Sequence, residues 1–128
     1  TGMSNLKEIN QAIKLLKSKR KIKDVVIMQC TSDYPSKLSN SNLLTIPSLK
    51  NKFKCKIGYS DHTLGSDSSM IAVALGAEVI EKHITLNKNL KGPDHIASSS
   101  PREFLKFNAK MKNKLQVRTV LHLDQHFL

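Results

Sequence analysis

Short apolar runs and amphipathic stretches alternate along this chain, and that alternation leaves few folds open. Leu6, Ile9, Ile13 and Leu16 recur at helical spacing, with Ser4 or Asn5 as cap and Glu8 in the first turn. Residues 24–31 then form a continuous apolar run between polar flanks, the signature of a parallel strand covered on both faces. After a polar loop around Tyr34-Pro35, Leu43, Ile46, Leu49 and Phe53 mark a helix, although Pro47 limits how much regular helix precedes it. Residues 55–60 predict a second strand, 66–75 an Ala-rich helix closed by Gly76, and 78–84 a third strand. Ser100-Pro101-Arg102-Glu103 then supplies a capping box with Pro at the first helical position, and Phe104, Phe107, Met111 and Leu115 define the buried face of the last helix.

Strand and helix in alternation imply a parallel sheet, either an open doubly wound one or a closed (β/α)8 barrel. Periodicity alone leaves both open. The expected fold class is therefore α/β; as a barrel, the three strands and the helix that opens the chain would be its last three units. At 128 residues the chain is one domain or a piece of a larger one.

The net charge of +11 raises nucleic acid as a partner, because Lys and Arg gain affinity by displacing counterions from phosphates. The basic residues are scattered, however, and the one dense run, Lys14, Lys17, Lys19, Arg20, Lys21 and Lys23, ends a helical pattern, where cations oppose the helix dipole. With aromatics at 5% and no binding motif, nucleic acid is not the expected partner. Cys30 and Cys55 lack metal-ligand spacing and read as reduced thiols, which suits a cytoplasmic protein. The longest apolar run, Met70 to Leu75, is too short to cross a bilayer, so no membrane is expected.

In either architecture functional groups gather at the carboxyl ends of the strands. Thr31-Ser32-Asp33-Tyr34-Pro35 follows the first strand, Ser60-Asp61-His62-Thr63 the second, and His83 ends the third. Side chains alternate along a strand, so Ser60 and His62 share a face with Gly58, and Glu81 shares one with His83. Neighbouring strands lie about 4.8 Å apart, close enough for two imidazoles to converge on one divalent cation. Spacing by itself favours the blander reading of hydrogen-bonded loop histidines.

The surrounding words change that balance. Gly58-Tyr59-Ser60-Asp61-His62-Thr63-Leu64-Gly65, Ala72-Val73-Ala74-Leu75-Gly76-Ala77, Glu81-Lys82-His83-Ile84-Thr85-Leu86 and Gly92-Pro93-Asp94-His95 closely resemble the sialic acid synthase family. Thr1-Gly2-Met3-Ser4 and Cys30-Thr31-Ser32-Asp33-Tyr34-Pro35 resemble it too, in the same order. The resemblance runs from Thr1 to about Lys112, and residues 113–128 depart from it as a divergent tail.

The resemblance implies a (β/α)8 catalytic barrel that condenses phosphoenolpyruvate with N-acetylmannosamine or a related N-acyl amino sugar. It assigns a Mn2+ or Mg2+ ion, and the catalytic role, to His62 and His83. Ser60 and Ser32 fall at the phosphoenolpyruvate phosphate, and Tyr34 and Asp94 approach the amino-sugar hydroxyls. The plainer alternatives are turn or cap serines, a packing tyrosine and an Asx-turn aspartate. Asp61 and Glu81 either orient a metal-bound histidine or form surface ion pairs. His95, His122 and His126 are left without a role.

The family's early strands, with their basic phosphate-binding residues, and its antifreeze-like domain are expected to lie outside this chain. The enzyme is expected to be a homodimer, the chain alone to be inactive, and its open strand edges to make it poorly soluble. The competing class is a non-catalytic basic domain that binds nucleic acid or another polyanion.

Overall fold

The structure, a computed structural model, describes residues 1–19, 25–112 and 118–123. Its elements alternate: α1 (Leu6–Lys19), β1 (Val26–Cys30), α2 (Thr45–Phe53), β2 (Lys56–Asp61), α3 (Asp67–Ala74), β3 (Val79–Ile84), α4 (Pro101–Lys112) and β4 (Arg118–Leu123), with a 3-10 turn at Leu38–Asn40.

Local chemistry sets the element ends. Asn5 caps α1 by accepting from the amides of Lys7 and Glu8, and Glu8 Oε2 returns an acceptor to the Asn5 amide at 2.8 Å. The Ser100–Glu103 box opens α4 in the same reciprocal way. Pro47 falls in the first turn of α2, where its missing N–H has no helical acceptor to serve. Gly76, at φ +100°, closes α3 with paired bonds from the Gly76 amide to Val73 O and from the Ala77 amide to Ala72 O.

The strands form one parallel sheet in the order β1-β2-β3-β4, so position in space follows position in sequence. A doubly wound sheet reverses that order at its switch point and carries helices on both faces. Here the helices lie on one face. Ile27, Ile57, Tyr59 and Ile80 point toward them and join Ile13, Ile46, Leu49, Phe53, Ala72, Val73, Phe104, Phe107 and Met111 in a single core. Each fully buried aliphatic side chain there contributes about 1.5–3 kcal/mol.

The expectation of three strands is one short. β4 lies within the stretch read as a divergent tail and pairs with β3 from Val79↔Arg118 to Ile84↔Leu123. Leu115, expected on the buried face of α4, lies outside the described residues, as do Arg20, Lys21, Lys23 and His126.

The face away from the helices carries Met28 and Cys30 from β1, Gly58 and Ser60 from β2, and Glu81 and His83 from β3, in register. It is polar toward the carboxyl ends and apolar below. Gly58 is required there: a Cβ at that position would collide with the Met28 thioether and lie 2.8 Å from Val79 O.

Candidate active site

At the carboxyl end of that open face three rings meet. The centroids of His62 and His83 are 5.4 Å apart with planes at 61°. Tyr34 stacks on His62 at 4.0 Å and 29°, and meets His83 edge-on at 5.7 Å. Tyr34 is 38% exposed while His62, beneath it, is 3% exposed, so the phenol roofs the imidazole.

His62 is oriented by its backbone neighbours. Its Nδ1 lies 2.8 Å from Thr31 O, and since a carbonyl only accepts, Nδ1 carries the ring proton. In the neutral ring Nε2 then presents a lone pair. Ser60 Oγ stands 3.3 Å from that Nε2 and donates its own proton to Glu81 Oε1 at 2.7 Å. The β2–β3 register, in which Ser60 is the partner of Glu81, makes this bond.

Cys30 joins the group, its Sγ 3.9 Å from His62 Nδ1. Burial alone would lower the His62 pKa, but the contacts with Cys30 and Thr31 O outweigh it and hold the imidazole above its ordinary value. The same contact with His62 draws the Cys30 thiol down. Tyr34 is pushed up by burial first, then by the negative potential of Cys30, Asp94 and Glu81, so Asp94 acts on this cluster electrostatically.

The six expected site residues thus divide. His62, His83, Tyr34 and Ser60 come together, while Asp94 is half-buried in the loop after β3, near enough for its charge to raise the Tyr34 pKa. Ser32 is exposed and lines a groove with Thr1, Gly2, Gln29 and Cys30, the last of which borders the ring cluster; a Cβ on Gly2 would stand 3.2 Å from the Ser32 Oγ.

Asp61 points away from the His62 ring and is no surface ion pair. It lies on the helix-facing side in a buried ion pair with Lys82, Nζ to Oδ2 at 3.1 Å, the side chains 2% and 0% exposed. Glu81 serves Ser60 instead of forming a surface pair. Two further residues belong to the arrangement: Cys30, brought beside Ser60 by the β1–β2 register, and Lys82, whose place inside an apolar strand is the one signal of it in the sequence. His95 is buried, its Nδ1 2.8 Å from Thr85 Oγ1.

Among the described residues no cluster of three or more His, Cys, Asp or Glu forms a metal cage, and no helix is long and apolar enough to cross a membrane. A parallel α/β sheet with ionisable side chains converging at the carboxyl ends of its strands has the layout in which α/β folds build their functional sites. Residues 1–120 match the NeuB family, and the chain belongs to it.

The chain is 51% identical over 104 residues to the N,N'-diacetyllegionaminic acid synthase of Campylobacter jejuni, covering 80% of this chain and 31% of that protein. It is 42% identical over 103 residues to the N-acetylneuraminate-9-phosphate synthase of Mus musculus, covering 80% of this chain and 27% of that protein. Among solved structures it resembles the N-acetylneuraminic acid (sialic acid) synthetase of Leptospira borgpetersenii, crystallised with citrate, with a TM-score of 0.81, 37% identity and coverage of 88% of this chain and 39% of that one. The chain thus spans about a third of the length of these relatives. Membership of this family favours the enzyme reading over the nucleic-acid one, and the match continues past residue 112 into the stretch read as divergent.

Proposed function

We propose that this chain forms the carboxyl-terminal arc of the catalytic barrel of a nonulosonic acid synthase, which joins phosphoenolpyruvate to an N-acyl mannosamine or related sugar. The observation that carries this reading is the His62–His83 pair, 5.4 Å apart, with the Nδ1 proton of His62 committed to Thr31 O. Metal-binding histidines are held in this way, the second ring nitrogen donating to a carbonyl so that the first keeps its lone pair for the ion.

The donor set fits a divalent cation, Mn2+ or Mg2+, held by two imidazoles and completed by water or substrate oxygens. When bound, such an ion stabilises negative charge developing on the sugar aldehyde oxygen. The residues of the chain do the rest. Ser60 would turn its hydroxyl proton from Glu81 Oε1 to the phosphoenolpyruvate phosphate, and Ser32, exposed on the loop after β1, would be a second donor. Tyr34 and Asp94 close over the amino-sugar hydroxyls, and the Tyr34 ring keeps bulk water off His62. Carbon 3 of phosphoenolpyruvate bonds to the aldehyde carbon, whose oxygen takes a proton. Water adds at carbon 2, and the bond from carbon 2 to the phosphate oxygen breaks, releasing phosphate and leaving a ketone.

The resemblance to the synthases supports two further parts of the proposal, a homodimeric enzyme and dependence on segments beyond these three or four strand units for activity. The free thiols Cys30 and Cys55 suit a cytoplasmic setting.

The test is phosphate release by a complete enzyme carrying this segment, given phosphoenolpyruvate and a panel of N-acyl amino sugars. Release with at least one sugar, lost in His62→Ala, is expected. Full activity of His62→Ala with its metal still bound would reject the assignment.

A further inference from the structure

His62 lies one residue beyond the last β2–β3 rung, Asp61↔Lys82, so the sheet ladder does not fix it. A second set of bonds does. The peptide unit after His62 is held at both polar atoms: the Ser36 amide donates to His62 O at 2.9 Å, and the Thr63 amide donates to Asp61 Oδ1 at 2.8 Å. Lys82 Nζ donates to the next carbonyl, Thr63 O, at 2.9 Å, while pairing with Asp61. The Thr63 hydroxyl donates to Asp61 Oδ1 at 2.8 Å, and Ser69 Oγ to Oδ2. Lys82 immediately precedes His83 and Asp61 immediately precedes His62. One buried ion pair, on the opposite side of the sheet from the rings, therefore ties the backbone under one histidine to the backbone under the other.

We propose that Asp61 and Lys82 are positioning residues, a clamp behind the sheet that sets the separation of the His62 and His83 rings and so the geometry offered to a cation. The part concerning the cation rests on the function proposed above; the part concerning the rings does not. Charge is needed at both positions because each group neutralises the other in a site closed to water, and because one ammonium must reach both a carboxylate and a carbonyl.

The experiment separates positioning from stability. In a complete enzyme carrying this segment, Asp61→Leu combined with Lys82→Met replaces the pair with apolar groups, an exchange that buried ion pairs commonly tolerate without loss of stability. The expected result is a fold that still melts cooperatively, a lost nuclear Overhauser contact between the two imidazoles, and Mn2+ affinity weakened on the order of ten-fold, the usual scale for groups that orient ligands. Asp61→Asn keeps the shape and an acceptor for Thr63, covers the case in which the double variant does not fold, and is expected to weaken the same contact. Lys82→Arg is expected to retain it.

Ring contact and Mn2+ affinity unchanged from the parent in Asp61→Asn or in a folded double variant would overturn the clamp. A parent chain that shows the ring contact, loses it in the variants and binds no Mn2+ would uphold the clamp and sink the metal reading, so the two fail separately.

Discussion

Tyr34 lies flat against His62, with 4.0 Å between ring centroids, and turns its edge to His83. The phenol is thus a wall shared by both imidazoles. Tyr34→Phe keeps the stack and is expected to leave stability and the imidazole resonances of His62 nearly unchanged. Tyr34→Ala removes it, at a cost of about 0.5–1.5 kcal/mol beyond lost burial, and shifts the His62 ring protons as the ring current disappears. Denaturant titration with proton spectra of the three chains checks this; a spectrum of Tyr34→Ala identical to the parent would refute the stack.

Below the rings, Met28 fills the space that a side chain at position 58 would need. Gly58→Val is expected to destabilise by about 1–3 kcal/mol through overpacking, measured as a lower urea midpoint at constant slope. Gly58→Ala is expected to cost less in a Met28→Ala background than in the parent, because the two positions share one volume. Equal costs in both backgrounds would show that the carbonyl of Val79, not Met28, sets the limit.

Divalent cations give a stability test that needs no substrate. An ion bound only by the folded chain stabilises it by about 2.7 kcal/mol at a hundred times its dissociation constant. Mn2+ is therefore expected to raise the melting temperature of the parent, chelation to reverse the rise, and His62→Ala and His83→Ala each to abolish it. An equal rise in both variants would assign the ion elsewhere.

The Glu103 carboxyl is held at about 2 against an ordinary 4.5, first by Lys88 and then by the Ser100 amide. A carboxylate with a depressed folded pKa adds stability that is complete above the ordinary value and is lost as pH falls through about 2. Because the Lys88 pair is exposed, salt should weaken its share while the amide bond within the cap persists. Carbon-detected titration of Glu103 should give this low midpoint, and Lys88→Met should raise it toward 4.5. An unmoved midpoint in Lys88→Met would assign the shift to the cap alone.

What the sequence made legible was mostly local. The Ser100–Glu103 box and the glycine closing α3 depend on residues a few positions apart, and both formed as expected. Period-two alternation put Ser60 with His62 and Glu81 with His83 within their strands, but left the joining of the two sets to the β2–β3 register. It could not say which face the helices would cover, since that depends on how all four amphipathic segments pack at once. The one-sided packing therefore became readable only from the strand order and the core, whereas a barrel was implied by the motif resemblance. β4 was missed although Thr119-Val120-Leu121 is an ordinary strand sequence, because the motif resemblance had stopped before it. Asp61 was open to two readings, orienting a metal-bound histidine or forming a surface ion pair, because it adjoins His62; alternation sends the two side chains apart, and the Asp61 pair with Lys82 is buried. Ser32 sits two residues past β1, where the chain has already turned and the Asp33 amide bonds back to Thr31 O, so alternation along the strand gives no direction for its side chain.

Because the strands succeed one another in space as they do in the chain, each loop at the rim borders the loop encoded next to it. A ligand spanning the rim from Cys30 to Asp94 would be read by one uninterrupted stretch of gene. Changing its selectivity by borrowing from a relative would then call for a single cassette exchange, with the helices behind it carried along as a unit.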